Sequence, residues 1–162
     1  MKITLIKYQA LSALQGQQVL QIGLPDTQKK MVGDIHGGLH VLSARPSSDI
    51  QGCVLLVDEV PRGFFVLKRR SLLPPWAQGR TATLHALMID QHYQGLGLGK
   101  ACLHRLPQWV SELWPEIEQL KLAVHPANQT ALGLYQALGW TLIDHPATPA
   151  EGSELQMLLR LR

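Results

Sequence analysis

Cysteines, charged residues and long apolar runs are all scarce in this 162-residue sequence. Cys53 and Cys102 are its only cysteines, too few for a disulfide framework or a metal cluster. No apolar run approaches the ~18 residues of a membrane span, and Lys7 breaks the N-terminal run, which is too short for a signal peptide. Charged residues make up 17% and the net charge is +3, without the basic stripe of nucleic-acid binders. We therefore expect a cytoplasmic protein that contacts neither membranes nor nucleic acids.

The apolar content is high enough for a folded core. Apolar residues make up 46% of the chain, which excludes intrinsic disorder because disordered chains lack apolar residues. A chain of this length buries roughly two thirds of the surface that its unfolded form exposes. The sequence therefore predicts one domain over residues 1–162.

The apolar pattern predicts alternating strands and helices. Strands are expected at 3–8, 53–59, 64–69, 81–90, 120–125, 140–143 and 155–161. Helices are expected at 11–22, 97–113 (kinked or split by Pro107) and 129–138 (capped by Asn128 and ended by Gly139). Residues 61–63 read as a hairpin turn and 71–80 as a loop, whereas 26–52 give no clear pattern. The predicted fold class is α/β (α+β): a mixed, largely antiparallel sheet of about six to seven strands flanked by helices.

The densest basic cluster is Lys68, Arg69 and Arg70, directly after the apolar segment 64–67. A solvated strand end explains the cluster simply. The alternative is a binding patch for an anion such as a phosphate.

The most informative segment is the glycine-rich loop 94–100, which reads QGLGLGK. It lies between a predicted buried strand and a predicted helix, where glycines let backbone N–H groups approach a ligand closely. A Walker P-loop would need glycine in place of Gln94 and Ser or Thr in place of Ala101. The dinucleotide pattern G-x-G-x-x-G fails as well, because its last position falls on Lys100 or Cys102. Both nucleotide motifs are therefore excluded.

The pattern that does fit is Q-x-x-G-x-G, with Gln94, Gly97 and Gly99 at its fixed positions. Through this loop, in LMIDQHYQGLGLGKACL, and through a second block, LAVHPANQTALGLYQALGW, the chain resembles the GNAT superfamily of acyl-CoA-dependent N-acyltransferases. The resemblance covers roughly residues 82–143. It implies the GNAT fold, with a splayed central strand pair, and an N-acetyltransferase that uses acetyl-CoA as co-substrate and no metal.

The resemblance also implies a set of cofactor-binding residues. Backbone groups of the strand before the loop would bond the pantetheine arm and the acyl carbonyl, and the loop itself would hold the pyrophosphate. Asn128 matches a position that often contacts the cofactor, and its other reading, a helix N-cap, is compatible with that role. The implied residues are Leu87, Met88, Ile89, Gln94, Gly95, Leu96, Gly97, Leu98, Gly99, Lys100 and Asn128.

Tyr135 matches the position of the tyrosine that protonates the departing thiolate in many members of the family. A core aromatic with a satisfied hydroxyl is the alternative, because Tyr135 shares a helix face with Ala131 and Leu138.

The sequence assigns no general base. Glu59, His85 and His125 are candidates, although a single histidine in an apolar strand is more often structural, and Asp90 is expected to be a turn residue. Cys53 and Cys102 fit buried apolar positions better than a covalent acyl-cysteine scheme. His36 and His40 have no glutamate between them, so the zinc-protease pattern fails.

The acceptor is expected to be the primary amine of a small molecule, such as an amine or an amino-acid derivative, bound near the first helix, residues 26–52 and the hairpin. Transfer would be direct, within a ternary complex. Polyamines, a protein lysine or N-terminal amine, and a non-catalytic acyl-CoA-binding module remain alternatives. Leu155, Met157 and Leu159 would serve either as the edge of a homodimer or in a monomer's core.

Overall fold

A computed structural model of the protein describes residues 1–143 and 154–161. The described residues form seven strands: β1 (Ile3–Lys7), β2 (Ile50–Val57), β3 (Val60–Arg69), β4 (Thr81–Ile89), β5 (Gln119–Val124), β6 (Thr141–Leu142) and β7 (Leu155–Arg160). They also form five α-helices: α1 (Ala13–Gln18), α2 (Asp26–Val32), α3 (Ile35–Ala44), α4 (Leu98–Leu113) and α5 (Gln129–Ala137).

The seven strands make one mixed sheet in the order β1-β2-β3-β4-β5-β7-β6. Every neighbouring pair is antiparallel except β4 and β5, which run parallel. This confirms the predicted fold class. β7 is paired on both sides, by β5 and β6, so Leu155, Met157 and Leu159 do not lie on an edge strand. Met157 is fully buried.

Two hydrophobic clusters pack on opposite faces of the sheet. Since neighbouring residues of a strand point to opposite faces, Phe65 joins a cluster with residues of α4 and α5, including Leu106 and Leu132. Phe64 joins a second cluster with Val19 and Ile35 from the segment before β2. The sheet is therefore covered by helices on both faces.

The hairpin turn lies at 58–59 and not at the predicted 61–63. Asp58 and Glu59 have φ of 49° and 70°, and two consecutive left-handed residues suit a tight hairpin turn. Pro61 instead lies inside β3 opposite Leu56, next to a bulge that leaves Arg62 without a partner on β2. Proline lacks the N–H that a regular ladder needs, and bulges are among the places in a sheet that accept it.

The helix predicted at 11–22 is shorter than expected, and the unassigned segment contains two helices. The first helix is α1, which is capped by Ser12 and followed by a 3-10 turn at Val19–Gln21. Segment 26–52 holds α2, α3 and the start of β2. A Cβ on Gly38 of α3 would lie 2.7 Å from Cε2 of Phe64. Glycine, unfavourable by propensity, therefore lets α3 approach the sheet.

The other predicted elements are confirmed within a few residues, with one exception. α4 runs through Pro107 as a single helix and is not split there. Proline at this position removes one helical hydrogen bond, and packing of Leu103, Leu106 and Val110 in the core keeps the helix continuous.

Candidate active site

The parallel strands β4 and β5 separate part of the way along their length. They pair from Thr81 to Leu84 on β4 and from Gln119 to Leu122 on β5. β4 then continues to Ile89 and β5 to Val124 without pairing to each other. This is the splayed central pair, and it leaves backbone donors and acceptors of β4 free for an extended ligand.

A bulge in β4 lies at the point of separation. Val66 of β3 faces His85 and Phe64 faces Met88, so Ala86 and Leu87 together oppose one residue of β3. Ala86 has φ of 55°, a left-handed conformation that costs about 1 kcal/mol for a residue with a Cβ. Bulges are frequent beside active sites because they redirect a strand.

The glycine loop ends at the N-terminus of α4. Gly95 and Gly97 have φ of 79° and 80°, and a Cβ on either would meet no atom within 4 Å. Conformation, and not crowding, therefore explains these two glycines. A Cβ on Gly99 would lie 3.3 Å from Cδ2 of Leu134, so Gly99 allows α4 to approach α5.

The first turn of α4 has backbone donors without partners. Its N-cap, Gly97, has no side chain, and the first helical bond goes from the N–H of Ala101 to the carbonyl of Gly97. The N–H groups of 98–100 therefore lack an acceptor within the helix. Such an uncapped N-terminus attracts an anion such as a phosphate.

One cleft of about 870 Å³ joins the glycine loop, the splayed strands and Tyr135. The structure brings together nearly all of the predicted site residues on its wall: Leu87, Met88, Ile89, Gln94, Gly95, Gly97, Leu98, Gly99, Lys100, Asn128 and Tyr135. Leu96 is not among the lining residues, and its side chain is exposed.

The side chain of Gln94 is engaged in contacts within the protein. Its Nε2 donates to the carbonyl of Ile89 at 2.9 Å and to Oε1 of Gln28 at 2.9 Å. Nε2 of Gln28 donates back to Oε1 of Gln94 at 3.1 Å. Gln94 thus fixes the loop against β4 and α2, and only its backbone remains for a ligand.

Tyr135 is 7% exposed and lines the cleft. Its ring packs against Trp140, with ring centroids 5.6 Å apart. Burial, together with the neighbouring Cys102, raises the pKa of the Tyr135 hydroxyl well above its usual value. The hydroxyl therefore keeps its proton at neutral pH and can donate it or a hydrogen bond.

Asn128 lines the cleft and caps α5. Its Oδ1 accepts a hydrogen bond from the N–H of Ala131 at 3.3 Å, which confirms the predicted N-cap.

Cys53 and Cys102 are both buried. Burial raises the pKa of the Cys102 thiol to about 12 and that of Cys53 as well. A protonated thiol is a poor nucleophile, so an acyl-cysteine is disfavoured.

Three of the groups considered as bases are engaged elsewhere. Glu59 lies at the hairpin turn, 3.1 Å from Nζ of Lys2 and outside the cleft. Asp90 is buried and accepts hydrogen bonds from the backbone N–H groups of Gly23 and His92. His125 lines the cleft, but its Nδ1 accepts the N–H of Ala127 at 3.0 Å. The lone pair of Nδ1 is therefore engaged within the protein.

His85 lines the cleft but is a weak base. Burial and the charge of Lys68 lower the pKa of His85 to about 3, far below a useful value for a base at neutral pH. Its Nε2 lies 2.6 Å from Oγ1 of Thr83. The structural interpretation of His85 is therefore the better supported one.

Sequence reasoning expected the acceptor near residues 26–52 but named no site residue on the wall of the cleft formed there, which we call the acceptor side. Five lining residues belong to α2 or to the segment just before it: Leu24, Thr27, Gln28, Met31 and Val32. Trp76 from the loop, Lys68 and Glu154 line it as well. Apolar spacing gave no signal for these residues, because a short helix and a loop carry too few repeats.

The family profile of the acetyltransferase (GNAT) family matches residues 24–140. The chain therefore belongs to this family.

Similar proteins agree with that assignment. A probable spermine N(1)-acetyltransferase of Bacillus subtilis subsp. natto (strain BEST195) is 40% identical over 57 residues, 35% of this chain and 37% of that protein. An uncharacterized N-acetyltransferase of Bacillus subtilis (strain 168) is 32% identical over 89 residues, 54% of this chain and 56% of that protein. The matches thus span only 37% and 56% of the lengths of these curated relatives.

A solved structure of AAC(6')-Ib with acetyl-CoA covers 99% of this chain and 94% of its own, with a TM-score of 0.73 and 14% identity. At that identity the similarity shows the fold alone.

Within 1–143 and 154–161, no helix is long and apolar enough to cross a membrane, and no group of three or more metal-binding side chains occurs.

Proposed function

We propose that the protein transfers an acetyl group from acetyl-CoA to the primary amine of a small molecule, directly within a ternary complex. The observation that carries this proposal is the single cleft that joins the uncapped N-terminus of α4, the splayed strands and the hydroxyl-bearing Tyr135. Each part suits one portion of acetyl-CoA, and the cleft continues to α2 on the acceptor side.

In the proposed complex the free N–H groups of 98–100 bind the pyrophosphate, and Lys100 adds a positive charge beside them. The part of β4 that does not pair with β5, residues 85–89, bonds the pantetheine arm as a neighbouring strand would, through the backbone groups that β3 and Gln94 leave free. Asn128 remains a candidate for contact with the cofactor, because it lines the cleft while its side chain caps α5. Leu96 contributes through its backbone at most, since its side chain is exposed.

In the reaction, the uncharged amine attacks the thioester carbon, the carbon–sulfur bond breaks, and the thiolate departs. The nitrogen, which is positively charged after the attack, gives up a second proton, and this proton neutralises the thiolate directly or replaces the one that Tyr135 donates. Tyr135 donates a hydrogen bond or a proton to that sulfur, and its raised pKa keeps the donor protonated. The amine must lose a proton before it attacks. Glu154 is the one carboxylate among the described lining residues, so we assign the proton to Glu154 or to water next to it.

Thermal unfolding with acetyl-CoA, CoA or ATP tests the cofactor site first. A ligand at a hundredfold excess over its Kd stabilises the folded state by about 2.7 kcal/mol. We expect Tm to rise with acetyl-CoA and CoA and to stay constant with ATP. A panel of amines, followed by release of the CoA thiol, then tests transfer.

The outcomes separate the possible failures. If neither form of CoA raises Tm at millimolar concentration, the cofactor assignment is wrong. If both raise Tm but no amine releases thiol, the protein binds acyl-CoA without catalysing transfer.

A further inference from the structure

The basic cluster at 68–70 divides into two parts in the structure. Arg69 binds Asp49 and Glu116 through ion pairs of 3.3 and 2.6 Å, and Arg70 lies within 4 Å of the same two carboxylates. Lys68 forms no ion pair or side-chain hydrogen bond with any other residue the structure describes. It lines the cleft instead.

Lys68 lies on the acceptor side of the cleft. It faces Thr83 across the β3–β4 ladder, and Leu67 beside it points to the opposite face, into the cluster that contains Tyr135. Lys68 is close enough to His85 for its charge to lower the pKa of that ring. The other cationic lining side chain among the described residues is Lys100, at the start of α4, where the cofactor is proposed to bind.

The position of Lys68 is unfavourable for an unpaired ammonium group. Lys68 is half-buried, and this partial burial lowers its pKa, because a charge partly removed from water needs a counter-charge or hydrogen bonds to offset the loss of hydration. His85 offers no counter-charge, because an imidazole ring is either neutral or cationic. An anion entering the cleft would supply one.

The wall of the cleft also carries apolar side chains. Pro74 and Trp76 come from the loop after β3, and Leu24 and Met31 come from α2 and its N-terminal flank. Glu154 supplies one negative charge at the start of β7. The acceptor side thus presents both signs of charge together with an apolar surface.

We infer that Lys68 binds a carboxylate of the acceptor, so that the acceptor class is an amino acid or another amine that carries a carboxylate. The inference rests on the proposed acetyltransferase function. A polyamine would bring a second ammonium group toward Lys68, and like charges in a low-dielectric cleft repel each other. The spermine named for one relative is therefore disfavoured as the acceptor of this chain.

Matched acceptors test the carboxylate directly. L-amino acids, their amides and the corresponding decarboxylated amines are compared, with putrescine and spermidine as polycations. Two readouts are measured: kcat/KM from thiol release, and the Kd for binding to the CoA-saturated protein by calorimetry. We expect the amino acids to bind at least about tenfold more tightly than their amides, as for a charge-assisted contact.

Substitutions at Lys68 test whether this side chain causes the preference for the amino acid over its amide. Lys68→Gln should remove the difference between acid and amide, whereas Lys68→Arg should retain it. Lys7→Gln removes the same charge from β1, outside the cleft, and should leave the preference unchanged. The acid-to-amide ratio of each variant is compared with that of the wild type, so the difference in intrinsic reactivity between the two amines, which is the same for every variant, cancels.

Two results would overturn the inference: wild-type protein that binds amides or polyamines as well as amino acids, or a Lys68→Gln variant that keeps the preference. Calorimetry distinguishes these results from the expected one even without turnover. Thiol release with amides or polyamines alone overturns the carboxylate assignment and leaves the acetyltransferase proposal standing. Preferential binding of acids without thiol release from any amine supports the carboxylate site and removes the catalytic proposal.

Discussion

The hydroxyl of Tyr135 belongs to a residue that is otherwise part of the core. Its ring packs against Trp140 and its neighbours include Cys102, yet the residue lines the cleft. The two interpretations of Tyr135 from sequence, core aromatic and acid, are therefore compatible. Burial raises the pKa of the hydroxyl, which keeps it protonated but makes it a weaker acid, so it favours a hydrogen bond to the departing sulfur over full proton transfer.

Tyr135→Phe keeps the ring and removes only the hydroxyl. We expect kcat to fall on the order of a hundredfold, the usual contribution of a general acid, while the Kd for CoA stays unchanged. Stopped-time thiol release and calorimetry measure the two quantities. Tyr8→Phe, at the end of β1 and outside the cleft, is the matched control. Equal kcat in Tyr135→Phe and the wild type would remove Tyr135 from the chemistry.

His85 should make stability depend on pH. The unfolded chain takes up a proton at this side chain below its ordinary pKa of 6.5, whereas the folded chain does so only near pH 3. The free energy of unfolding should therefore fall as pH drops from 6.5 toward 3, by about 2 to 3 kcal/mol between pH 7 and pH 4.

Urea titrations at several pH values measure this effect. His85→Gln cannot be protonated, so its stability should fall less steeply with acid than that of the wild type. His104→Gln, on the exposed side of α4, should follow the wild type. Parallel curves for His85→Gln and wild-type protein would show that His85 is not held neutral.

At the scale of elements, a glycine of the loop can matter for two reasons: its backbone conformation is strained for a residue with a Cβ, and it leaves space for a ligand. The two effects can be measured separately. Gly97 and Gly79 have φ of 80° and 74°, and neither has an atom within 4 Å of an added Cβ. Alanine should therefore destabilise each position similarly, by about 1 kcal/mol. Only Gly97 lies on the cleft.

We accordingly expect Gly97→Ala to weaken CoA binding about tenfold, because its Cβ stands where the backbone must approach the phosphates. Gly79→Ala should bind CoA normally despite equal destabilisation. Denaturant unfolding and calorimetry measure the two effects separately. If both variants bind CoA like the wild type, the loop does not hold the pyrophosphate.

Elements differed in how far the sequence could predict them. β4, β5, α4 and α5 were identified because their apolar periods are long and their caps, such as Asn128, are local. α2 and α3 were missed because Gly33, Gly37 and Gly38 indicate loops, while the contact of Gly38 with Phe64 that explains its presence is tertiary. The hairpin turn was misplaced because Pro61 and Gly63 mimic turn residues although they belong to a bulged strand.

For the whole molecule, the half of the cleft that we propose for the cofactor was predictable, and the half that we propose for the acceptor was not. The cofactor half is built from one continuous stretch, β4 through α4, together with the start of α5, so its motif is visible in the chain. The acceptor half combines α2, β3, the loop at Trp76 and the start of β7. Residues so far apart in sequence are brought together by the tertiary fold, including a strand order in which β7 inserts between β5 and β6.

The reciprocal amide pair between Gln28 and Gln94 joins those two halves. In the proposed complex, one partner lies on the helix beside the acceptor and the other opens the loop that binds the cofactor, so we expect binding on one side to affect the other. Thermodynamic linkage would make this effect symmetric: the factor by which the cofactor changes the acceptor's Kd would equal the factor by which the acceptor changes the cofactor's Kd. Equilibrium measurements would then give the same coupling from either side, and only kinetic measurements would reveal which substrate binds first.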